Sequence, residues 1–263
     1  MRIPFYKYQG SGNDFVVIDQ RRKKYIDSTN VALINNLCDR RFGIGGDGLM
    51  LLTKSKAECV DFTMTYFNAD GNLGSMCGNG GRCLTAFAHS KKIFESHCVF
   101  DAVDGLHEAN FNLDETVSLK FIDVDTVEIG DGFFVLNTGS PHYVVFVEDL
   151  NDINVFDNGQ QIRYSERFAK EGINVNFCQI LDTNKLRIAT YERGVENETF
   201  SCGTGIVATV LSYSIKSGNT NTVAVETKGG NLSVAFNKIN ETRFNNIWLT
   251  GPAVKSFEGY VEV

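Results

Sequence analysis

The feature that most constrains this chain is a repeat. The stretch Met76-Cys77-Gly78-Asn79-Gly80-Gly81-Arg82-Cys83 is echoed by Ser201-Cys202-Gly203-Thr204-Gly205. In each, a cysteine precedes a Gly-x-Gly step, and an apolar run with a helix-compatible pattern follows, at 84–88 and at 206–215. Cys202 lies 125 residues after Cys77, and the same offset aligns 105–112 with 230–237, sharing Gly, Phe and Asn. An offset of 127 sets Gly12-Asn13-Asp14-Phe15-Val16-Val17 beside Gly139-Ser140-Pro141-His142-Tyr143-Val144. Three matches nearly in register argue for an internal duplication. The chain is therefore expected to fold as two similar units.

The 263 residues suffice for two such units of roughly 130 residues, each with its own core. A net charge of -7, with Arg21-Arg22-Lys23-Lys24 as the one strong basic run, argues against a nucleic-acid partner. No stretch approaches the roughly 18–20 apolar residues that a membrane helix needs. Met1-Arg2-Ile3-Pro4-Phe5 enters a strand-like run without a signal peptide's apolar region, so the expected location is the cytoplasm. Seven cysteines without framework spacing fit a reduced thiol population.

Short alternating or apolar runs predict strands near 5–8, 15–18, 49–52, 59–67, 98–102, 106–112 and 116–121. In the second half they predict strands near 133–136, 143–147, 174–180, 185–191, 223–227, 232–236 and 247–250. Helices are expected at 31–40, with Asn30 as cap, and at about 79–90. Gly43-Ile44-Gly45-Gly46-Asp47-Gly48 lacks the Gly-Lys-Ser/Thr ending of a phosphate loop. Cys38, Cys59, Cys98 and Cys178 sit in apolar runs and read as core packing.

A helix entered directly from a cysteine points N–H groups at whatever lies beside the sulfur. Those groups lower a thiol's pKa and hold a carboxylate. A thiolate can attack, bind metal, exchange disulfides or move a proton. Zinc wants four ligands, and only Cys83 lies near Cys77 in sequence, while nothing beside Cys202 completes a set. Cys77 and Cys83 are six apart, not at Cys-x-x-Cys spacing. Proton transfer explains the symmetry best, because inverting a carbon centre needs a base on one face and an acid on the other.

With these residues in view, the chain resembles the diaminopimelate epimerase family. The matching pieces are Gly12-Asn13-Asp14-Phe15, the segment 43–49, Asn68-Ala69-Asp70-Gly71, the Met76–Arg82 stretch, Pro141-His142, Gly172-Ile173-Asn174, Tyr191-Glu192-Arg193-Gly194 and Cys202-Gly203-Thr204-Gly205. The resemblance implies an α+β fold of two pseudo-twofold-related domains, each with mostly antiparallel strands wrapped around a central helix. The expected domains are residues 1–125, joined by 252–263, and 126–251. It implies conversion of LL-diaminopimelate to the meso isomer without a cofactor or a metal. Cys77 and Cys202 would be the two bases, facing each other across the cleft, with His142 as the partner of Cys77 and Glu192 as that of Cys202. Asn13, Asn68, Asn174, Glu192 and Arg193 would bind the non-reacting end of the substrate. Backbone N–H groups of Gly78, Asn79, Gly203 and Thr204 would hold the reacting carboxylate. A homodimer is the implied assembly.

Two departures bear on the distal pocket. Ser140 stands where many members carry the asparagine of a Gly-Asn-Pro-His motif, so one distal contact would be shorter or water-mediated. The segment 194–201 is one residue longer than the common pattern. The competing readings are a two-cysteine racemase acting on proline or hydroxyproline, which has little use for the Glu192-Arg193 pair, and a binding protein that keeps the fold without turnover.

Overall fold

The computed structural model describes residues 1–218 and 221–263. It divides into two compact units, residues 1–119 with 251–263, and residues 120–250. In the first, Arg2–Gly10 pairs antiparallel with Val254–Glu262 on one side and with Asn13–Asp19 on the other. The ladder then runs parallel to Gly48–Thr53, antiparallel to Phe62–Asn68, parallel to His97–Ala102 and antiparallel to Gly105–Phe111 and Val117–Lys120. A parallel step cannot be closed by a hairpin. Each is bridged here by a helix, α1 at Val31–Cys38 and α2 at Gly78–Ser90.

The second unit repeats these steps. Phe133–Asn137 pairs antiparallel with Pro141–Val147, which runs parallel to Asn174–Asp182 and then antiparallel to Lys185–Glu192. Lys185–Glu192 runs parallel to Thr222–Thr227, followed antiparallel by Gly230–Lys238 and Phe244–Gly251. The crossovers are α3 at Val155–Arg163 and α4 at Gly203–Ser217. Val127–Ile129 flanks Phe133–Asn137, as Val254–Glu262 flanks Arg2–Gly10 in the first unit. The α+β duplication, with strands around a central helix, is the fold class that the resemblance implies.

The central helices carry the longest buried runs of their units. Residues 79–88 of α2 and 205–214 of α4 are all buried. A helix enclosed on every side needs an apolar surface all round. In α4, Ile206, Val207, Val210 and Leu211 pack with Val144, Cys178, Leu186, Val225, Val234 and Leu249. Cutting Leu211 back to alanine costs roughly 2–5 kcal/mol. The polar members of α4 stay satisfied locally, with Thr209 donating to Gly205 O at 2.7 Å and Ser212 to Ala208 O at 2.8 Å. The helix stops at Gly218, whose φ of 90° is left-handed.

Three local features depart from the sequence expectations. Helix α3 has no counterpart among the helices expected from the sequence. Its start is fixed by Asn154, which accepts from the Asp157 N–H at 3.1 Å. A Cβ at Gly159 would come within 2.4 Å of the Tyr191 Cβ, so the glycine lets the helix lie directly on the strand. Cys59 is not core: it is exposed in a turn with a left-handed φ of 60°, and the strand begins only at Phe62. The expected first helix ends at Cys38 rather than near Arg40, because Asp39 turns to an extended conformation. Among the described residues no helix is long and apolar enough to cross a membrane.

Candidate active site

Cys77 and Cys202 are the N-cap residues of α2 and α4. Both have extended backbones, φ −101°, ψ 121° and φ −110°, ψ 109°, and neither side chain bonds a helix N–H. The first N–H groups of a helix have no partner inside it, and the macrodipole is positive there. Each helix start therefore offers donors and positive potential beside a sulfur, with Gly78 and Asn79 leading α2, and Gly203 and Thr204 leading α4. Cys77 is half-buried and Cys202 is 8% exposed. Among the described residues no disulfide joins any of the seven cysteines. Cys83, one turn into α2, is pushed up to about 12 by burial, as is Cys98, which makes them poor nucleophiles at neutral pH.

In the first unit a polar chain runs from the surface to the helix start. Arg40 donates to Asp47 Oδ1 at 2.8 Å, and Asp47 Oδ2 accepts from Asn13 Nδ2 at 3.0 Å. Asn13 Oδ1 accepts from Asn79 Nδ2 at 2.6 Å, and Asn79 Oδ1 accepts from Arg82 Nη2 at 2.9 Å. These bonds decide which way the Asn13 amide points. Arg82 is fully buried and donates also to Ser11 Oγ at 3.0 Å, while its Nε and Nη1 have no acceptor. Burial pulls its pKa down. Asn68 is exposed at the end of Phe62–Asn68, where its backbone closes a turn with Gly71 and Asn72.

In the second unit Asn174 gathers the distal residues. Its Nδ2 donates to Ser140 Oγ at 2.7 Å and to Pro141 O at 3.0 Å, and its Oδ1 accepts from the Arg193 N–H at 2.9 Å. Asn174 is thus a spacer that holds Ser140 and Arg193 beside each other. The Arg193 guanidinium is exposed and donates to Glu171 O at 2.9 Å. Gly172 has to be a glycine, with φ 77° and the Arg193 Cδ 2.5 Å from where a Cβ would sit. Glu192 is half-buried, and that burial pushes its carboxyl above the usual range.

His142, expected beside Cys77, has both ring nitrogens engaged within the second unit. Nε2 lies 2.8 Å from Thr204 Oγ1 and Nδ1 lies 3.0 Å from Asn176 Nδ2. Thr204 Oγ1 is in turn 3.4 Å from the Cys202 sulfur. The Thr138 hydroxyl donates to Thr204 O at 2.8 Å and anchors the helix entry. Burial brings His142 down to about 3, with the Arg193 charge acting in the same direction, so the ring is neutral at physiological pH.

Asn176, Thr190 and Ser11 are drawn into these networks without a motif to single them out, whereas Asp47 and Arg82 lie inside stretches that carry the resemblance but were assigned no role. For Asn176 a signal exists: Asn174 and Asn176 alternate with Val175, Phe177 and Cys178 at the buried start of the strand, on positions that burial would normally reserve for hydrocarbon. Among the described residues no group of three or more His, Cys, Asp or Glu side chains is arranged to hold a metal ion.

The family pattern described as diaminopimelate epimerase matches residues 5–125 and 134–256. A diaminopimelate epimerase of Flavobacterium psychrophilum is 47% identical over 257 residues, covering 97% of this chain and 99% of the relative. One from Aquifex aeolicus is 37% identical over 276 residues, covering 98% and 97%. Among solved structures, a phenazine biosynthesis protein of the PhzF family from Bacillus anthracis superposes with a TM-score of 0.76 at 13% identity, over 100% of both chains. A probable proline racemase from Agrobacterium radiobacter gives 0.67 at 16% identity, over 99% of this chain and 92% of the other. At such identities these structures speak to the fold alone. Matched along nearly its whole length, the chain belongs to the diaminopimelate epimerase family, isomerases that act on amino-acid-like substrates.

Proposed function

We propose that this isomerase interconverts LL-2,6-diaminopimelate and the meso isomer by a two-base reaction without a cofactor, supplying a precursor of lysine and peptidoglycan. The observation that carries this reading is the matched pair of helix starts, each entered from a cysteine whose side chain leaves the helix N–H groups to something else. One sulfur, as thiolate, takes the α-hydrogen, and the C–H electron pair stays on carbon as a carbanion. The other, as thiol, returns a proton to the opposite face, and the two exchange roles in the reverse direction. The carboxylate of the reacting centre would accept hydrogen bonds from the N–H groups of Gly78 and Asn79, and of Gly203 and Thr204. There two dipoles stabilise the charge that develops as the α-hydrogen leaves.

A distal amino acid centre would account for Asn174 holding Ser140 and Arg193 beside each other, with Glu192 next to Arg193 in the chain. A guanidinium offers a carboxylate two parallel charged hydrogen bonds, and a carboxylate side chain suits an ammonium. Asn13 and Asn68 would supply further polar contacts from the first unit. The deciding experiment has two parts. Incubation in deuterium oxide should place deuterium at the α-carbon of diaminopimelate as it inverts, and steady-state kinetics should favour diaminopimelate strongly over proline. Deuterium uptake by proline and none by diaminopimelate would overturn the substrate assignment; uptake by neither would favour a binding protein. A homodimer is the assembly we propose, and light scattering that gave the mass of one chain would refute it.

A further inference from the structure

The second unit carries a hydrogen-bonded chain whose direction can be worked out atom by atom. Tyr143 O can only accept, and Asn176 Nδ2 lies 3.1 Å from it, so the amide nitrogen faces that carbonyl. The other side of the amide agrees, since Asn176 Oδ1 accepts from the Thr190 hydroxyl at 2.9 Å. The second amide hydrogen of Asn176 then points at His142 Nδ1, 3.0 Å away, which must be the nitrogen with the free lone pair. A buried neutral imidazole with Nδ1 unprotonated carries its hydrogen on Nε2 and gives it to Thr204 Oγ1 at 2.8 Å. A hydroxyl that accepts there has its own hydrogen left for the Cys202 sulfur at 3.4 Å.

We infer that Asn176 and Thr190 are positioning residues of the isomerase: they hold His142 as the Nε2–H tautomer, which turns the Thr204 hydroxyl into a hydrogen-bond donor to the Cys202 sulfur. The inference rests on the reading of Cys202 as one of the two bases, for which a donor stabilises the thiolate form. The backbone is shaped to admit the chain. A Cβ at Gly205 would stand 2.3 Å from Asn176 Oδ1, 3.2 Å from His142 Cε1 and 3.3 Å from Thr190 Oγ1, so the second glycine of the Cys-Gly-x-Gly step makes room for this cluster. The four side chains come from three successive strands of the ladder and one helix start, with Asn176 and His142 fully buried. Such a network is satisfied only in one proton arrangement, and that arrangement ends at the sulfur.

Two readouts test this without substrate. Long-range proton–nitrogen spectra of protein labelled at its four histidines, with His142 assigned by its loss in His142→Gln, should show the Nε2–H tautomer. The pH profile of Cys202 alkylation by iodoacetamide, followed by peptide mass spectrometry, should shift up by about one pH unit in Thr204→Val, the worth of one hydrogen bond to a charged group. Thr204→Ser, which keeps the hydroxyl, should return it. In Asn176→Asp the carboxylate should draw a hydrogen onto Nδ1 and reverse the tautomer. The Thr204 hydroxyl then donates to Nε2, and the alkylation profile should shift as in Thr204→Val, with no further shift in the double variant. An Nδ1–H tautomer in the wild type, or a Cys202 profile unmoved by Thr204→Val, would overturn the inference. Diaminopimelate turnover is measured separately: protein with the expected tautomer and alkylation shifts, but no turnover, keeps the relay and loses the proposed substrate.

Discussion

The two units follow the same order of strands and helices, yet they surround their cysteines with opposite chemistry. Strand register makes the comparison residue by residue. In the second unit His142 lies on Pro141–Val147, Asn176 is paired with Val144, and Thr190 is paired with Asn176. The same ladder positions in the first unit hold Phe15, Met50 and Tyr66. The Gly-x-Gly step confirms the equivalence: the atom nearest a Cβ on Gly205 is Asn176 Oδ1, and that nearest one on Gly80 is the Met50 sulfur. One cysteine therefore sits over a polar relay and the other over packed hydrocarbon and rings, with Phe15 and Tyr66 edge to face at 6.0 Å.

The helices differ in a complementary way. The offset of 125 sets Asn79 against Thr204 and Arg82 against Val207. The first unit buries a whole guanidinium one turn below its cysteine, where the second has a valine. A duplication keeps backbone geometry because the ladder and the helix entry depend on few residues. The side chains beneath the sulfur are free to diverge, and two different devices, a buried cation and an oriented hydroxyl, can favour a thiolate.

The largest expected effect would break this comparison outright. Cys77→Ala and Cys202→Ala should each slow inversion by roughly 10²–10⁴-fold or more while leaving the fold intact. Circular dichroism of the substrate follows the reaction, and near-normal turnover by either folded variant would mean that the two helix starts are not chemically equivalent. Next in size, Arg193→Ala should lower kcat/KM for diaminopimelate roughly 30-fold to several thousand-fold, as expected for loss of a paired charge. Wild-type kcat/KM in that variant would remove the distal carboxylate from the second unit.

Acid should separate the units. His142 titrates near 6.5 when unfolded but only at about 3 in the fold, so between those values the unfolded chain binds the extra proton. Its contribution is fully present above pH 6.5 and is lost as pH falls toward 3, on the order of a few kcal/mol. In the first unit, burial would push the Asp14 carboxyl up, but Arg40 and Lys7 hold it well below its usual 3.8. That contribution persists above pH 3.8 and is lost only below it. Between pH 7 and 4.5, protection factors from hydrogen exchange, corrected for the intrinsic rate at each pH, should fall in Asn174–Asp182 before Gly48–Thr53, and equal falls in both would count against the assignment.

The smallest effect sharpens the comparison. Arg82→Met should move the alkylation profile of Cys77 up by about one pH unit, since a nearby cation favours a thiolate, and leave that of Cys202 in place. A shift in both profiles, read by peptide mass spectrometry on protein shown to be folded, would mean that Arg82 acts through general stability rather than on its own helix start.

Much of this was written in one dimension. The repeat of Cys-Gly-x-Gly followed by an apolar run determined two buried helices, each entered from a cysteine, because the pattern of apolar residues reports local structure and burial directly. The alternating strands were legible for the same reason. Which polar groups meet was decided by the tertiary structure alone. His142 and Thr204 are 62 residues apart, and Asn176 reaches His142 from a neighbouring strand. A slip of one residue in that register would turn Asn176 to the opposite face and Val175 toward the histidine. No local propensity encodes the register of a parallel pair joined through a helix; it is set by how the whole ladder closes over its core.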